Sequence, residues 1–191
     1  MEKIGLYGGS FDPVHLGHLL VAQAACEEAG LKRLYFIPAA QSPFKTTTTL
    51  SPAPERLRLL RLALAGKTNY EIDDQEIRRG GVSYAIDTVR DYARRFPGVQ
   101  LHWLVGADHV APLVSWREAG ELARLVEFLA IPRPGQPDAV FAPPFRGRAL
   151  KGFPLGVSAS QIRARVKAGL TVDHLVPPTV AEAIRNYRLY L

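Results

Sequence analysis

Residues 8–18, Gly8-Gly9-Ser10-Phe11-Asp12-Pro13-Val14-His15-Leu16-Gly17-His18, join a glycine turn to two histidines in the spacing His-x-Gly-His. The chemistry this offers is polyphosphate binding. Backbone N–H groups of a glycine turn and of a helix N-terminus form an anion cradle. Two imidazoles three residues apart on a first helical turn face the same space. The pair could also ligate zinc, but a catalytic zinc needs a third protein ligand, and His102, His109 and His174 stand at no ligand-like spacing from it. No Gly-Lys-Ser/Thr follows the turn, and the dinucleotide pattern G-x-G-x-x-G is absent. Asp12, preceding a proline, reads as a turn-stabilising residue rather than a base.

These residues need a strand before them and a helix after. The apolar run Ile4-Gly5-Leu6-Tyr7 supplies a short buried strand, and residues 15–30 read as the helix. Further strands are expected at 34–38, 70–72, 99–105, 125–131 and 148–150, with helices at 55–64, 84–95, 160–167 and 178–190. Residues 42–54, rich in threonine and proline, form a long loop of the kind that often serves as a lid. Strands alternating with helices predict an α/β fold: a single-domain, open, Rossmann-like, doubly wound and mostly parallel sheet with helices on both faces. Ligands in such sheets gather at the carboxyl ends of the strands. The helices from about residue 158 onward are expected to complete the site.

A chain of 191 residues suits one domain with a sizeable core. No apolar run approaches a bilayer span, the start lacks a signal-peptide pattern, and Cys26 has no disulfide partner, so a cytoplasmic protein is expected. The net charge of +6 admits nucleic acid, an anionic surface or anionic small substrates. Arg56-Leu57-Arg58 with Arg61, and Arg78-Arg79, read as solvated faces, and no RNA-binding signature is present. Small nucleotides then account for a positive cleft. Neither nucleic acid nor a membrane is expected as a partner, and assembly into a homo-oligomer stays open.

The first motif resembles the signature of the nucleotidyltransferase superfamily, which includes small adenylyltransferases and class I aminoacyl-tRNA synthetases. A second signature of its small adenylyltransferases appears as Val157-Ser158-Ala159-Ser160-Gln161-Ile162-Arg163. A synthetase would need an anticodon-reading domain and a Lys-Met-Ser-Lys-Ser-like loop, and this chain has neither. Three further features resemble the bacterial nicotinate-nucleotide adenylyltransferase family. They are Ser83-Tyr84 opening a helix after Gly80-Gly81, Gly106-x-Asp108 followed by Trp116-Arg117, and Arg133-Pro134-Gly135 after a strand. Ser83 is the expected N-cap, leaving N–H groups of the first turn to read a carboxylate. A tryptophan face suits a flat, positively charged pyridinium ring. The chain departs from the family pattern at Ala85 (threonine is usual), at Phe44 (histidine is usual in the loop) and at Leu113 (usually aromatic).

The resemblance implies adenylyl transfer from ATP to nicotinate mononucleotide, with release of pyrophosphate. It implies that His15, His18, Lys45 and Arg163 act on the phosphates. Gly8, Gly9, Ser10, Gly106, Asp108, Arg133, Ser158 and Ser160 would join them around ATP. Ser83, Tyr84, Ala85 (through its N–H), Trp116 and Lys45 would receive the mononucleotide. Mg²⁺ is implied, held mainly by the ATP phosphates, with no protein-held metal. Two other readings stand beside this one: a phosphopantetheine adenylyltransferase, and a non-catalytic nucleotide-binding module that kept the cleft.

Overall fold

The computed structural model describes residues 1–44, 49–132, 134–135, 137–153 and 155–191. Strand β1 (Lys3–Gly9) lies in the middle of the molecule. After it come α1 (Leu16–Ala29), β2 (Arg33–Pro38), α2 (Ala53–Leu64), β3 (Tyr70–Ile72), α3 (Gln75–Arg79) and α4 (Ala85–Arg95). The second half holds β4 (Gln100–Gly106), two 3-10 turns at Ala107–His109 and Ala111–Ser115, α5 (Ala119–Leu125), β5 (Val126–Ile131), β6 (Gly147–Ala149), α6 (Ala159–Lys167) and α7 (Pro178–Asn186).

The strands form one six-stranded sheet in the order β3-β2-β1-β4-β5-β6. All of its pairings are parallel, so the expected "mostly parallel" sheet is wholly so. Parallel neighbours need crossover connections, and helices supply them except between β5 and β6, where no helix stands among the described residues. Period-two alternation decides which face each side chain meets. Leu101, Trp103 and Val105 of β4 join a core with Ile86, Val89 and Tyr92 of α4 and Leu122 of α5. Leu104 points to the other face, into a core built by α1, α2, α6 and α7. The sheet is therefore covered on both sides, as doubly wound sheets are. From β1 the chain first winds outward through β2 and β3, then returns to build β4, β5 and β6 on the other side. The reversal leaves a crevice beyond the carboxyl ends of β1 and β4, the switch point where ligands bind.

Local structure differs from the sequence expectation in four places. Helices α3 and α5 were not expected, since five and seven residues are too short to display a helical period. Helix α4 begins at Ala85 with Tyr84 as its N-cap, displacing Ser83 from that role. Helix α7 ends at Asn186, and Arg188 and Tyr190 beyond it adopt positive φ. Arg56, expected on a solvated face, is only 2% exposed. Among the described residues, no helix is long and apolar enough to cross a membrane.

Candidate active site

Two cavities meet at the crevice. One, of about 680 Å³, is lined by His15, His18, Ser158, Ser160 and Arg163. The other, of about 540 Å³, is lined by Gly8, Ser83, Tyr84, Ala85, Asp108 and Trp116. Gly9, Ser10, Gly106 and His109 line both, so the ends of β1 and β4 form the seam between them. His15, His18, Ser158, Ser160 and Arg163, predicted for ATP, thus line one chamber, and Ser83, Tyr84, Ala85 and Trp116, predicted for the mononucleotide, line the other, where Gly8 and Asp108, predicted for ATP, also lie. Lys45 and Arg133 lie outside the described residues.

The histidines are held by one another. His15 is the N-cap of α1, and its N–H donates to Nδ1 of His18 at 3.1 Å. That bond makes Nδ1 the acceptor and places the proton of His18 on Nε2. The two rings stack with centroids 3.6 Å apart and planes 24° from parallel. Stacked rings keep their nitrogens in parallel planes instead of converging on one ion. Among the described residues there is no group of three potential ligands for a metal either. His15 is 7% exposed, and burial holds its pKa down at about 4. It is neutral at physiological pH and can donate one N–H without carrying charge. Gly17 makes the arrangement possible, because a Cβ there would lie 3.0 Å from Val157 and 3.1 Å from the His15 ring.

The expected amide cradle at the start of α1 is largely spent inside the protein. The Leu16 N–H bonds the Leu175 carbonyl, and the His18 N–H bonds that of His15. The imidazole N–H groups and the turn at Gly8–Ser10 are what remains to line the cavities there. Gly8 and Gly9 also serve packing, since a Cβ on either would come within 3.0 Å of the Trp103 or Phe11 ring.

On the opposite wall, Ser158 caps α6. Its Oγ accepts the Gln161 N–H at 3.2 Å, while Gln161 Oε1 accepts the Ser158 N–H at 2.9 Å, a reciprocal capping box. Arg163, one turn further on, donates from Nη1 to the Asp12 carbonyl at 2.7 Å and from Nη2 to Ser160 Oγ at 3.3 Å. Helix α6 is thereby locked onto the turn that carries the histidines.

In the second chamber the Ser83 hydroxyl accepts the Ala40 N–H at 3.0 Å, and its N–H donates to the Gln41 carbonyl. Ser83 therefore braces the loop after β2 and does not cap α4. Trp116 packs partly against the core, and Phe44 covers it, with ring centroids 5.5 Å apart. Phe44 also stacks on His109 at 5.0 Å, filling the place where the family pattern has a histidine. Gly106 leaves room for Asp108, whose Oδ1 lies 2.5 Å from where a Gly106 Cβ would stand.

Two residues of this region escaped sequence reasoning. Glu76 lines the second cavity, is 3% exposed, and accepts the Thr88 hydroxyl at 2.6 Å. Burial raises its pKa. Its only signal in the sequence is a carboxylate a few residues before Gly80-Gly81, and that does not distinguish it from surface acids. His109, at the seam of both chambers, carried no motif.

A family model, cytidylyltransferase-like, matches residues 6–165 of the chain. A protein named "probable nicotinate-nucleotide adenylyltransferase" in Opitutus terrae is 42% identical, covering 98% of this chain and 97% of the relative. One of the same name in Bordetella pertussis is 40% identical over 100% of this chain and 98% of its own. Among solved structures, the nicotinic acid mononucleotide adenylyltransferase of Plasmodium falciparum complexed with NaAD superposes with a TM-score of 0.80 at 17% identity. It covers 100% of this chain and 98% of that one, and establishes the common fold. With near-complete overlap in sequence and both signature motifs facing one crevice, the chain belongs to the nicotinate-nucleotide adenylyltransferases, within the cytidylyltransferase-like family.

Proposed function

We propose that the protein transfers the adenylyl group of ATP to nicotinate mononucleotide, forming nicotinate adenine dinucleotide and pyrophosphate in NAD biosynthesis, with the residues of the two chambers in the following roles. The observation that carries this reading is the seam itself: a chamber with the histidine pair opens onto a second chamber with an aromatic wall and a helix N-terminus. ATP occupies the first, with its α-phosphorus at the seam. The 5′-phosphate of the mononucleotide reaches the seam from the second, and one of its oxygens forms a bond to that phosphorus. The bond from the α-phosphorus to the bridging oxygen breaks in line, and pyrophosphate leaves. The attacking phosphate is largely ionised near neutral pH, its second pKa being about 6, so no protein base is needed. Catalysis rests on positioning and on stabilising charge.

His15 and His18 donate to the phosphates from neutral imidazoles. Arg163, with Ser160 beside it, holds the outgoing pyrophosphate, and Lys45 assists from the loop. Gly8, Gly9 and Ser10 admit close approach of the nucleotide backbone. Gly106 at the seam and Asp108 just inside the second chamber hold the ATP ribose, and the adenine contact is assigned to Arg133. The Ala85 N–H at the start of α4 reads the nicotinate carboxylate, with Tyr84 beside it and Ser83 bracing the loop. Trp116 faces the pyridine ring. Mg²⁺ would be carried mainly by the substrate phosphates, because that ion keeps several waters and is seldom held by an all-protein cage. The ion would neutralise triphosphate charge. A cytoplasmic site of action belongs to the same proposal and is supported by the free thiol of Cys26.

Pyrophosphate release is the test, with ATP and Mg²⁺ and, separately, nicotinate mononucleotide, nicotinamide mononucleotide and phosphopantetheine. Preferred turnover of the nicotinate form is expected. Turnover with phosphopantetheine alone, or with none of the three, would overturn the proposal.

A further inference from the structure

The turn carrying the first motif is held from beneath by groups that the reaction scheme above does not use. Arg56 of α2 donates from Nη1 to the Ser10 carbonyl at 2.8 Å and from Nε to the Ser51 carbonyl at 3.0 Å. The Ser51 N–H in turn donates to Oδ2 of Asp12 at 3.0 Å. Asp12 is as deeply buried as Arg56, and its carboxylate offsets the guanidinium charge. Tyr190, in the segment after α7, packs against the core under α1 and α2. Its hydroxyl faces Asp12 and Ser51. The Tyr190 hydroxyl and Asp12 Oδ1 are both buried, and neither makes a hydrogen bond in the structure. They are the donor and the acceptor that each other lacks.

Stability alone does not account for this cluster. A buried guanidinium with a buried carboxylate nearby gains little over apolar packing of the same volume, because desolvation consumes most of the attraction. What the cluster does uniquely is fix a peptide plane. The Ser10 carbonyl and the Phe11 N–H belong to one rigid unit and point in opposite directions. Anchoring the carbonyl on Arg56 therefore turns that N–H away from the core, and Ser10 and Phe11 both line the chamber of the histidines. The same turn leads directly into His15.

We infer that Arg56 and Tyr190 are positioning residues for the transfer, forming with Asp12 a buried frame that sets the Ser10–Phe11 peptide and the histidines against the phosphates. The inference rests on the phosphate role proposed for His15 and His18. It predicts effects on kcat, because the frame touches neither the aromatic wall nor the start of α4.

The test measures kcat, KM for each substrate, and melting temperature in the full chain. Tyr190→Phe keeps the ring and removes only the hydroxyl. Its kcat should fall about tenfold, with KM for nicotinate mononucleotide unchanged and melting shifted by no more than about 2 °C. Arg56→Lys keeps the charge but cannot reach both carbonyls, and should lose about 10²-fold in kcat. Should that variant fail to fold, Tyr190→Phe decides alone. Wild-type kcat in Tyr190→Phe would overturn the inference, and so would a loss expressed as a higher mononucleotide KM. Absence of turnover in the unmodified protein would instead overturn the function proposed above.

Discussion

The His15 N–H bonds Nδ1 of His18, and the two rings lie face to face at 3.6 Å. One histidine thus sets the tautomer of the other, and both present N–H donors without charge. On the proposed reading, positive charge at the phosphates then comes from Arg163 and Lys45. A neutral donor costs less to bury than a cation and still strengthens as charge develops on the transferring group.

Replacing His18 by alanine should leave the fold intact and lower turnover by about 10²–10³, the scale of removing one preorganised donor from a transition state. Steady-state pyrophosphate release checks this, and near-normal activity would remove His18 from the chemistry.

Stability should fall on acidification, with His15 as one cause. Its pKa is about 4 in the folded chain against the ordinary value of 6.5. Between those values the unfolded chain binds the proton and the folded chain does not, so unfolding is favoured progressively as pH drops through that window. The full contribution is about 3 kcal/mol at most. Burial lowers His102 in the same direction. Denaturant titrations from pH 7 to pH 4 should show a slope that weakens in a His15→Asn variant. An unchanged slope would show that His15 is hydrated in solution.

Ala85 is the first residue of α4, and Tyr84 before it has φ −96° and ψ 131°. Proline fits a first helical position, and the extended Tyr84 suits the residue preceding one. Ala85→Pro therefore deletes one N–H while preserving the backbone. If that N–H reads the nicotinate carboxylate, KM for the acid should rise about tenfold or more, the worth of one charge-assisted bond. KM for the amide should hardly move. A parallel rise for both substrates would place carboxylate recognition elsewhere.

Gly106→Ala sets a methyl against Asp108 Oδ1 at 2.5 Å. Since φ at Gly106 is −62°, the backbone tolerates alanine and the carboxylate must move. KM for ATP should rise about tenfold, as a ribose hydroxyl loses a charged acceptor, with melting nearly unchanged. A normal KM for ATP would detach Asp108 from the ribose.

Legibility of the sequence followed the range of the interactions. The β1–α1 unit was readable because its signals are local: an apolar run, a glycine turn, two histidines in one helical turn. The same holds for α6, where Ser158 and Gln161 form their capping box within four residues. Arg56 was not readable. Its burial depends on the carbonyls of Ser10 and Ser51 and the carboxylate of Asp12, brought together only by the fold. Ser83 misled for a related reason: a serine before a helix is the usual cap, but its hydroxyl was claimed by the distant Ala40 N–H. Glu76 took its place in the cavity wall through Thr88, a contact no local pattern announces.

The bond from Arg163 to the Asp12 carbonyl joins residues 151 positions apart. Closing so long a loop is entropically late, since shorter-range contacts form first and make it affordable. A chain emerging from synthesis carries the histidine turn early but lacks the cation that completes it until nearly all of the sheet is in place. On the proposed reading, nucleotide handling is thereby deferred to the finished molecule, and partly folded chains are left without a working triphosphate site.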